Sequence, residues 1–123
     1  MDDRRTAHIL LAHGSRSEEA NAAFSAMAGR VAARMPERRI LRAFWELARP
    51  SLDEMVGDAV RAGAGRVVVM PYFLSDGVHI RRDIPAALER LRGAHPGVEM
   101  VLLPSLQNDP LLEELLAARL DGA

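Results

Sequence analysis

Residues 66–71, RVVVMP, are the most strand-like run in the chain. Consecutive valines favour extended structure, and a continuous apolar run is typical of a strand buried on both faces of a parallel sheet. Working outward from this run, shorter apolar segments at residues 8–12, 40–45 and 99–103 predict three further strands.

Helical patterns separate these runs. Ser51 is followed three residues later by Glu54, the spacing of a capping box, and Asp83 with Pro85 resembles the start of a third helix. Asp109 precedes a proline and an apolar segment, which predicts a final helix. The predicted helices span residues 18–35, 51–63, 83–93 and 109–120.

Strands that alternate with helices four times indicate an α/β domain with a parallel sheet. We expect one domain over residues 1–123, with a flavodoxin-like, open four-stranded sheet of order 2-1-3-4 and helices on both faces. In this order the topological switch point lies between strands one and three, and ligands bind there at the carboxyl edge.

Composition excludes several kinds of chemistry. All sixteen basic residues are arginine, so no lysine can form a Schiff base or serve a P-loop. There is no cysteine, which removes disulfides, thiolate metal sites and thiol nucleophiles. A formal net charge of −1, few aromatic residues and short apolar runs predict neither a nucleic-acid nor a membrane partner, and we expect a cytoplasmic protein.

Two histidines follow predicted strands at the switch point. His13 comes directly after strand one, and His79 lies in a long predicted loop, residues 72–82, after strand three. His13 alone is equally well explained by a structural role, and His79 alone is better explained as a surface histidine on a lid. Two neutral imidazoles at one crevice, however, can accept protons and hold a divalent metal. His8 and His95 fall at the opposite edge of the predicted sheet and are interpreted as structural.

Other candidates surround this pair. Glu46 ends strand two and either assists an imidazole or is merely an exposed carboxylate. Gly14 permits close backbone approach to a ligand, and Ser15 with Arg16 precedes a helix N-terminus that favours anions. Arg81 and Arg82 would add a cationic rim for a carboxylate-rich or phosphorylated ligand. Asp83 is interpreted as a helix cap.

Three segments occur together in class II tetrapyrrole chelatases. They are AHGSR at residues 12–16, EL-x-x-PSL at residues 46–52 and P-x-FL-x-x-G-x-H-x-x-x-DIP at residues 71–85. The chain resembles the small, single-domain sirohydrochlorin cobaltochelatases and the related ferrochelatases over nearly its whole length. Residues 106–110, LQNDP, depart from the glycine-and-histidine pattern of many members.

The resemblance implies a chelatase-like fold and ATP-independent insertion of a divalent metal into sirohydrochlorin. Co²⁺ is the first expectation and Fe²⁺ the second, with Ni²⁺ open, for cobalamin or sirohaem biosynthesis. It implies a homodimer, no organic cofactor, and His13 and His79 as metal ligands and proton acceptors. Residues expected to contact the substrate are Gly14, Ser15, Arg16, Phe73, Leu74, Ser75, Gly77, Val78, Arg81 and Arg82.

The residues alone leave two other functions open. One is a non-catalytic, flavodoxin-like module that binds an anion at the loop after strand one, although no phosphate fingerprint is present. The other is a metal carrier that keeps both histidines but passes the metal to a partner. Imidazole ligands also do not discriminate sharply between cobalt, iron and nickel.

Overall fold

The computed structural model describes residues 3–74 and 77–123, apart from the side chains of residues 3, 4 and 79. These residues form four strands and four helices that alternate along the chain. The strands are β1 (Asp3–Ala12), β2 (Arg38–Phe44), β3 (Arg66–Pro71) and β4 (Glu99–Leu102). The helices are α1 (Glu18–Arg34), α2 (Leu52–Arg61), α3 (Val78–Ala94) and α4 (Pro110–Asp121).

The four strands form one parallel sheet in the order β2-β1-β3-β4. This confirms the predicted fold class and places the switch point between β1 and β3. The assignment of residues 1–123 to a single domain stays a prediction. Within the described residues, no helix is long and apolar enough to cross a bilayer.

The main hydrophobic core lies between the sheet and helices α2 and α3. Strand residues that alternate along the chain meet the apolar sides of these helices there, as expected for a sheet covered by helices. The central strand side chains in this core are fully buried; they are Ile9, Leu11, Val67 and Val69. A smaller cluster around Phe24 of α1 lies on the other face.

Two predicted element starts were wrong. Strand β1 begins at Asp3 rather than at residue 8, because Thr6 and Ala7 are buried and pair with β3. The charged residues that precede them gave no strand signal in the sequence. His8 therefore lies within the strand, half-buried, and not at the predicted far end. The remaining boundaries, apart from the start of α3, agree with prediction to within two residues.

Helix α3 begins five residues earlier than predicted. Gly77, in extended conformation, is its N-cap, so Asp83 is inside the helix and the prediction that it caps α3 was wrong. Pro85 also lies within the helix, where it lacks the N–H that would bond the carbonyl of Arg81. Arg81 and Pro85 are both exposed, so water can solvate the Arg81 carbonyl group. The predicted loop at residues 72–82 is correspondingly shorter.

The caps of α2 and α4 were predicted correctly. The Ser51 side chain accepts a hydrogen bond from the Glu54 backbone at 3.1 Å, and the Glu54 carboxylate accepts one from the Ser51 backbone, also at 3.1 Å. The Asp109 carboxylate accepts a hydrogen bond from the Leu111 N–H at 2.8 Å. These bonds satisfy donors that the first helical turn leaves free.

Candidate active site

Strands β1 and β2 continue their hydrogen bonding beyond their last residues. The Trp45 N–H donates to the Ala12 carbonyl at 2.8 Å, and the Glu46 N–H donates to the His13 carbonyl at 2.9 Å. The backbone of Glu46 is therefore fixed beside that of His13 at the carboxyl edge of the sheet. This is the edge at which open α/β sheets bind ligands.

Gly14 makes this close approach possible. Its φ is +96°, and a Cβ atom at this position would lie 1.7 Å from the Glu46 carbonyl oxygen. Any side chain would therefore collide with the backbone of Glu46 in addition to adopting an unfavourable conformation. In the structure, the close approach that Gly14 permits is that of the Glu46 carbonyl oxygen. Contact of Gly14 with a ligand stays a prediction.

The side chains of His13 and Glu46 form a pair. His13 Nε2 lies 3.4 Å from Glu46 Oε1, and each side chain is 52% exposed. His13 Nδ1 lies 3.3 Å from the Gly14 carbonyl oxygen, a position in which an N–H on that nitrogen would donate. A carboxylate beside an imidazole orients the ring for proton transfer or metal ligation. The structure thus brings together two of the predicted catalytic residues.

A cavity of about 270 Å³ adjoins this pair and is lined by His13, Trp45, Glu46 and Asp83. The Phe73 ring packs edge-on to the imidazole, with 6.3 Å between ring centroids. Phe73 is buried and Trp45 half-buried, so an apolar wall adjoins the polar groups. A crevice of this composition suits a ligand that is apolar in part and charged in part.

Two cavity residues were missed as candidates. Asp83 was taken for a helix cap, but with α3 starting at Val78 it faces the cavity and also pairs with Arg82 at 3.1 Å. Trp45 was taken only as a strand residue. The sequence signal for Trp45 was its place at the end of the predicted strand 40–45, next to Glu46 at the carboxyl edge.

The loop between β1 and α1 is held by internal hydrogen bonds. The Ser15 N–H donates to the Asn21 side chain at 3.0 Å, and the Ser15 hydroxyl accepts from the Ser17 N–H at 3.0 Å. Ser17 in turn caps α1 by accepting from the Ala20 N–H at 3.1 Å. Arg16 is exposed beside them. Substrate contact by Ser15 and Arg16 stays a prediction.

The segment after β3 divides into buried and exposed residues. Phe73 is buried, whereas Leu74, Gly77 and Val78 are exposed. Ser75, also predicted to contact the substrate, lies outside the described residues. The exposed leucine and valine would offer apolar contacts to a ligand at this edge.

The predicted arginines lie on α3 rather than on a loop. Arg81 and Arg82 are both exposed. Arg81 lines a separate cavity of about 120 Å³ between α3 and the segment after β4, not the His13 cavity. Both arginines lie at the carboxyl edge, and their contribution to a cationic rim around a ligand stays a prediction.

His79 belongs to the first turn of α3, one helical turn before Asp83. Its side chain lies outside the described part of the structure, so its predicted pairing with His13 stays a prediction. Among the side chains that are described, no group of three histidine, aspartate or glutamate residues could hold a metal ion. His95 caps the other end of α3, away from the carboxyl edge.

Among the described side chains, the marked pKa shifts belong to helix-stabilising pairs outside the cavity. The Arg49 guanidinium, which pairs with Glu54, and the capping N–H of Ser51 lower the pKa of Glu54 from 4.5 to about 2. The Asp53 carboxylate raises the pKa of Arg90, and this ion pair joins α2 to α3 with contacts of 2.6 and 3.1 Å. The first pair stabilises the start of α2, and the second holds α2 against α3.

Fold and site together define a parallel α/β domain with an imidazole–carboxylate pair at the carboxyl edge of its sheet, beside the topological switch point where such domains bind ligands. The family model for CbiX matches residues 7–123. The chain belongs to the CbiX family.

Two curated relatives are named sirohydrochlorin cobaltochelatase. The protein from Methanopyrus kandleri is 35% identical over 80 residues, which cover 65% of this chain and 56% of that protein. The protein from Methanocaldococcus jannaschii is 32% identical over 87 residues, covering 71% of this chain and 61% of that protein. The matched part of the chain thus spans about six tenths of the length of these relatives.

A solved relative matches over almost its whole length. The crystal structure of a protein from Marinobacter aquaeolei VT8, described as a cobalamin (vitamin B12) biosynthesis CbiX protein, superposes with a TM-score of 0.82 at 33% identity. The match covers 96% of this chain and 99% of that one. It confirms both the fold and the family.

Proposed function

We propose that the protein inserts a divalent metal, Co²⁺ or Fe²⁺, into sirohydrochlorin without ATP, as a step towards cobalamin or sirohaem. The observation that carries the proposal is the His13–Glu46 pair at the carboxyl edge of the sheet of a CbiX-family chain, beside a cavity with an apolar wall. The names of the relatives, sirohydrochlorin cobaltochelatase and sirohydrochlorin ferrochelatase, supply the substrate class.

The reaction needs two proton acceptors and a transient metal ligand. The macrocycle loses two pyrrole N–H protons while the divalent metal forms bonds to its nitrogens, so charge balances with two protons released. Imidazole ordinarily titrates near pH 6.5 and also ligates Co²⁺, Fe²⁺ and Ni²⁺. We assign metal delivery and proton acceptance jointly to His13 and His79, with Glu46 orienting His13.

Residue 79 is suitably placed along the chain for this role. It lies one helical turn before Asp83, which lines the cavity beside His13. Two imidazoles form a weaker site than a closed set of three or four ligands, which favours release of the metal to the macrocycle. The protein needs no organic cofactor, because the metal is itself a substrate.

Sirohydrochlorin carries many carboxylates, and we propose that it contacts both walls of the edge. Exposed Arg16 would meet them from the α1 side, and Arg81 and Arg82 from α3. The remaining proposed contacts are Gly14, Ser15, Phe73, Leu74, Ser75, Gly77 and Val78. We further propose a homodimer. A cytoplasmic location and the absence of nucleic-acid or membrane partners stay predictions.

The test is an anaerobic assay of the purified chain with sirohydrochlorin and Co²⁺, Fe²⁺ or Ni²⁺ in turn, followed by the visible spectrum of the macrocycle. We expect several turnovers per chain, without ATP, for cobalt or iron. Glu46→Gln should slow insertion while leaving the far-ultraviolet circular dichroism unchanged. Stoichiometric metal binding with no rate above the uncatalysed background would instead identify a metal carrier and reject the proposal.

A further inference from the structure

Helix α4 is a leucine-rich helix that joins no hydrophobic cluster in the described part of its own chain. None of its residues is buried. Four of its leucines are between 50% and 76% exposed. These are Leu111, Leu115, Leu116 and Leu120. Such a helix is normally stable only when its apolar side is packed.

The leucines cover about half of the circumference of the helix, and Arg119 falls among them. Leu111 and Leu115 are four residues apart, and so are Leu112, Leu116 and Leu120, which makes two adjacent stripes. By the same spacing, Glu114, Ala117 and Asp121 fall on the opposite side. The exposed leucines present on the order of 400 Å² of apolar surface, as much as the largest patch on a typical monomer.

The sheet has a matching uncovered strip. Helices α2 and α3 cover one face, but on the other face α1 covers only part of the sheet. An apolar groove, here called the α1 groove, remains beside α1, with a volume of about 210 Å³. Its lining includes Leu10, Val31, Met35, Ile40, Met70 and Leu103. A parallel sheet is ordinarily covered by helices on both faces.

The connection from β4 to α4 is held by hydrogen bonds to β3 and to the segment that follows β3. The Leu103 N–H bonds the Val69 carbonyl at 2.9 Å, and the Leu106 N–H bonds the Phe73 carbonyl at 3.0 Å. Asn108, with φ +65°, and the Asp109 cap then set the direction in which α4 begins. In its own chain, α4 contributes no residue to the lining of the α1 groove.

We propose that α4 packs into the α1 groove of a second copy of this chain, in a symmetric exchange of helices. Each copy then supplies the helix that the other lacks, which is the isologous arrangement of a two-fold dimer. With helix and groove each covered twice, the buried area is on the order of 1,500 Å², within the range of stable interfaces. The inference rests on the homodimer proposed above and specifies how it forms.

The first test is the oligomeric state of purified full-length variants, measured by light scattering after size exclusion. We expect a dimer for the unmodified chain and at least a hundredfold weaker dimer for Leu115→Glu and for Leu103→Glu. Ala117→Glu places the same charge on the opposite side of α4 and should change the dissociation constant by less than threefold. A monomeric unmodified chain, or a Leu115→Glu variant as dimeric as Ala117→Glu, would overturn the exchange.

A second test decides between two copies and one. Because the chain has no cysteine, Leu103→Cys combined in turn with Leu111→Cys, Leu115→Cys or Leu116→Cys gives a single reporter pair. Oxidation should produce covalent dimers for at least one combination. Covalently closed monomers alone, or no cross-link in any combination, would contradict the proposal.

Cobalt insertion is measured separately on the same samples. A monomeric chain that inserts metal would reject the exchange and keep the chelatase function. A cross-linked dimer that does not insert metal would keep the exchange and reject the chelatase function.

Discussion

The core beneath α2 and α3 and the carboxyl edge around His13 are built from the same strand in opposite ways. Ile9 and Leu11 of β1 are fully buried, whereas His13, two residues after Leu11, is half-exposed and faces Glu46 across an open cavity. The core therefore carries stability and the edge carries chemistry. Substitutions in the two regions should be separable, with core variants losing stability and edge variants losing activity.

Gly14→Ala should have the largest effect, because it disrupts the close backbone contact between Gly14 and Glu46, where the core meets the carboxyl edge. The added methyl group would lie 1.7 Å from the Glu46 carbonyl oxygen, so the β1–β2 backbone must move. We expect a clear loss of stability in urea unfolding together with loss of the His13–Glu46 geometry and of metal insertion.

Gly63→Ala is the matched control for this change. Gly63 has a similar φ of +103° but open space around it, so only the conformational cost of about 1–2 kcal/mol applies. If the two alanine variants were equally stable and equally active, the close approach of Glu46 to Gly14 would not matter for the site.

Leu11→Ala tests the core alone. Removing a fully buried leucine costs about 2–5 kcal/mol, whereas Leu41→Ala, at a half-buried position of the edge strand β2, should cost less. Urea unfolding at one fixed protein concentration measures both. In each variant, the insertion activity per folded chain should stay near that of the unmodified protein. A large loss of activity without loss of stability would contradict the separation of core and edge.

Ser51→Ala tests the segment that leads from the edge into α2. It removes the hydrogen bond from the Glu54 N–H to the Ser51 hydroxyl, and loss of such a cap costs about 1 kcal/mol. Ser17→Ala removes the corresponding cap of α1 and should cost a similar amount. A Ser51→Ala variant as stable as the unmodified protein would show that the capping box contributes nothing.

Acid titration should give the smallest effect. The pKa of Glu54 is lowered from 4.5 to about 2, so its ionised form stabilises the folded state. That contribution is complete above about pH 4.5 and is lost as the pH falls towards 2. Glu54→Gln keeps the capping geometry and removes the charge. Its urea midpoint should therefore be lower than that of the unmodified protein at pH 6, and the two midpoints should converge near pH 2. A difference that does not change with pH would contradict the assignment.

Sequence alone predicted the sheet order, the edge position of His13 and the caps of α2 and α4, because these depend on local patterns and on the handedness of crossovers. It failed at Asp83 because an acidic residue two before a proline imitates a helix start, whereas Gly77 begins α3. It also left Glu46 between two interpretations. Its contact with His13 depends on hydrogen bonds that extend beyond both strands, a property of the paired sheet.

The most direct test compares the initial rate of Co²⁺ insertion into sirohydrochlorin for His13→Ala, His79→Ala and His95→Ala, each confirmed as folded by circular dichroism. His95 caps the far end of α3 and serves as the control. We expect a loss of about a hundredfold or more for His13→Ala and for His79→Ala, as for removal of a general base, and less than a twofold change for His95→Ala. Rates equal to that of the unmodified protein in His13→Ala and His79→Ala would contradict the chelatase site proposed at this edge.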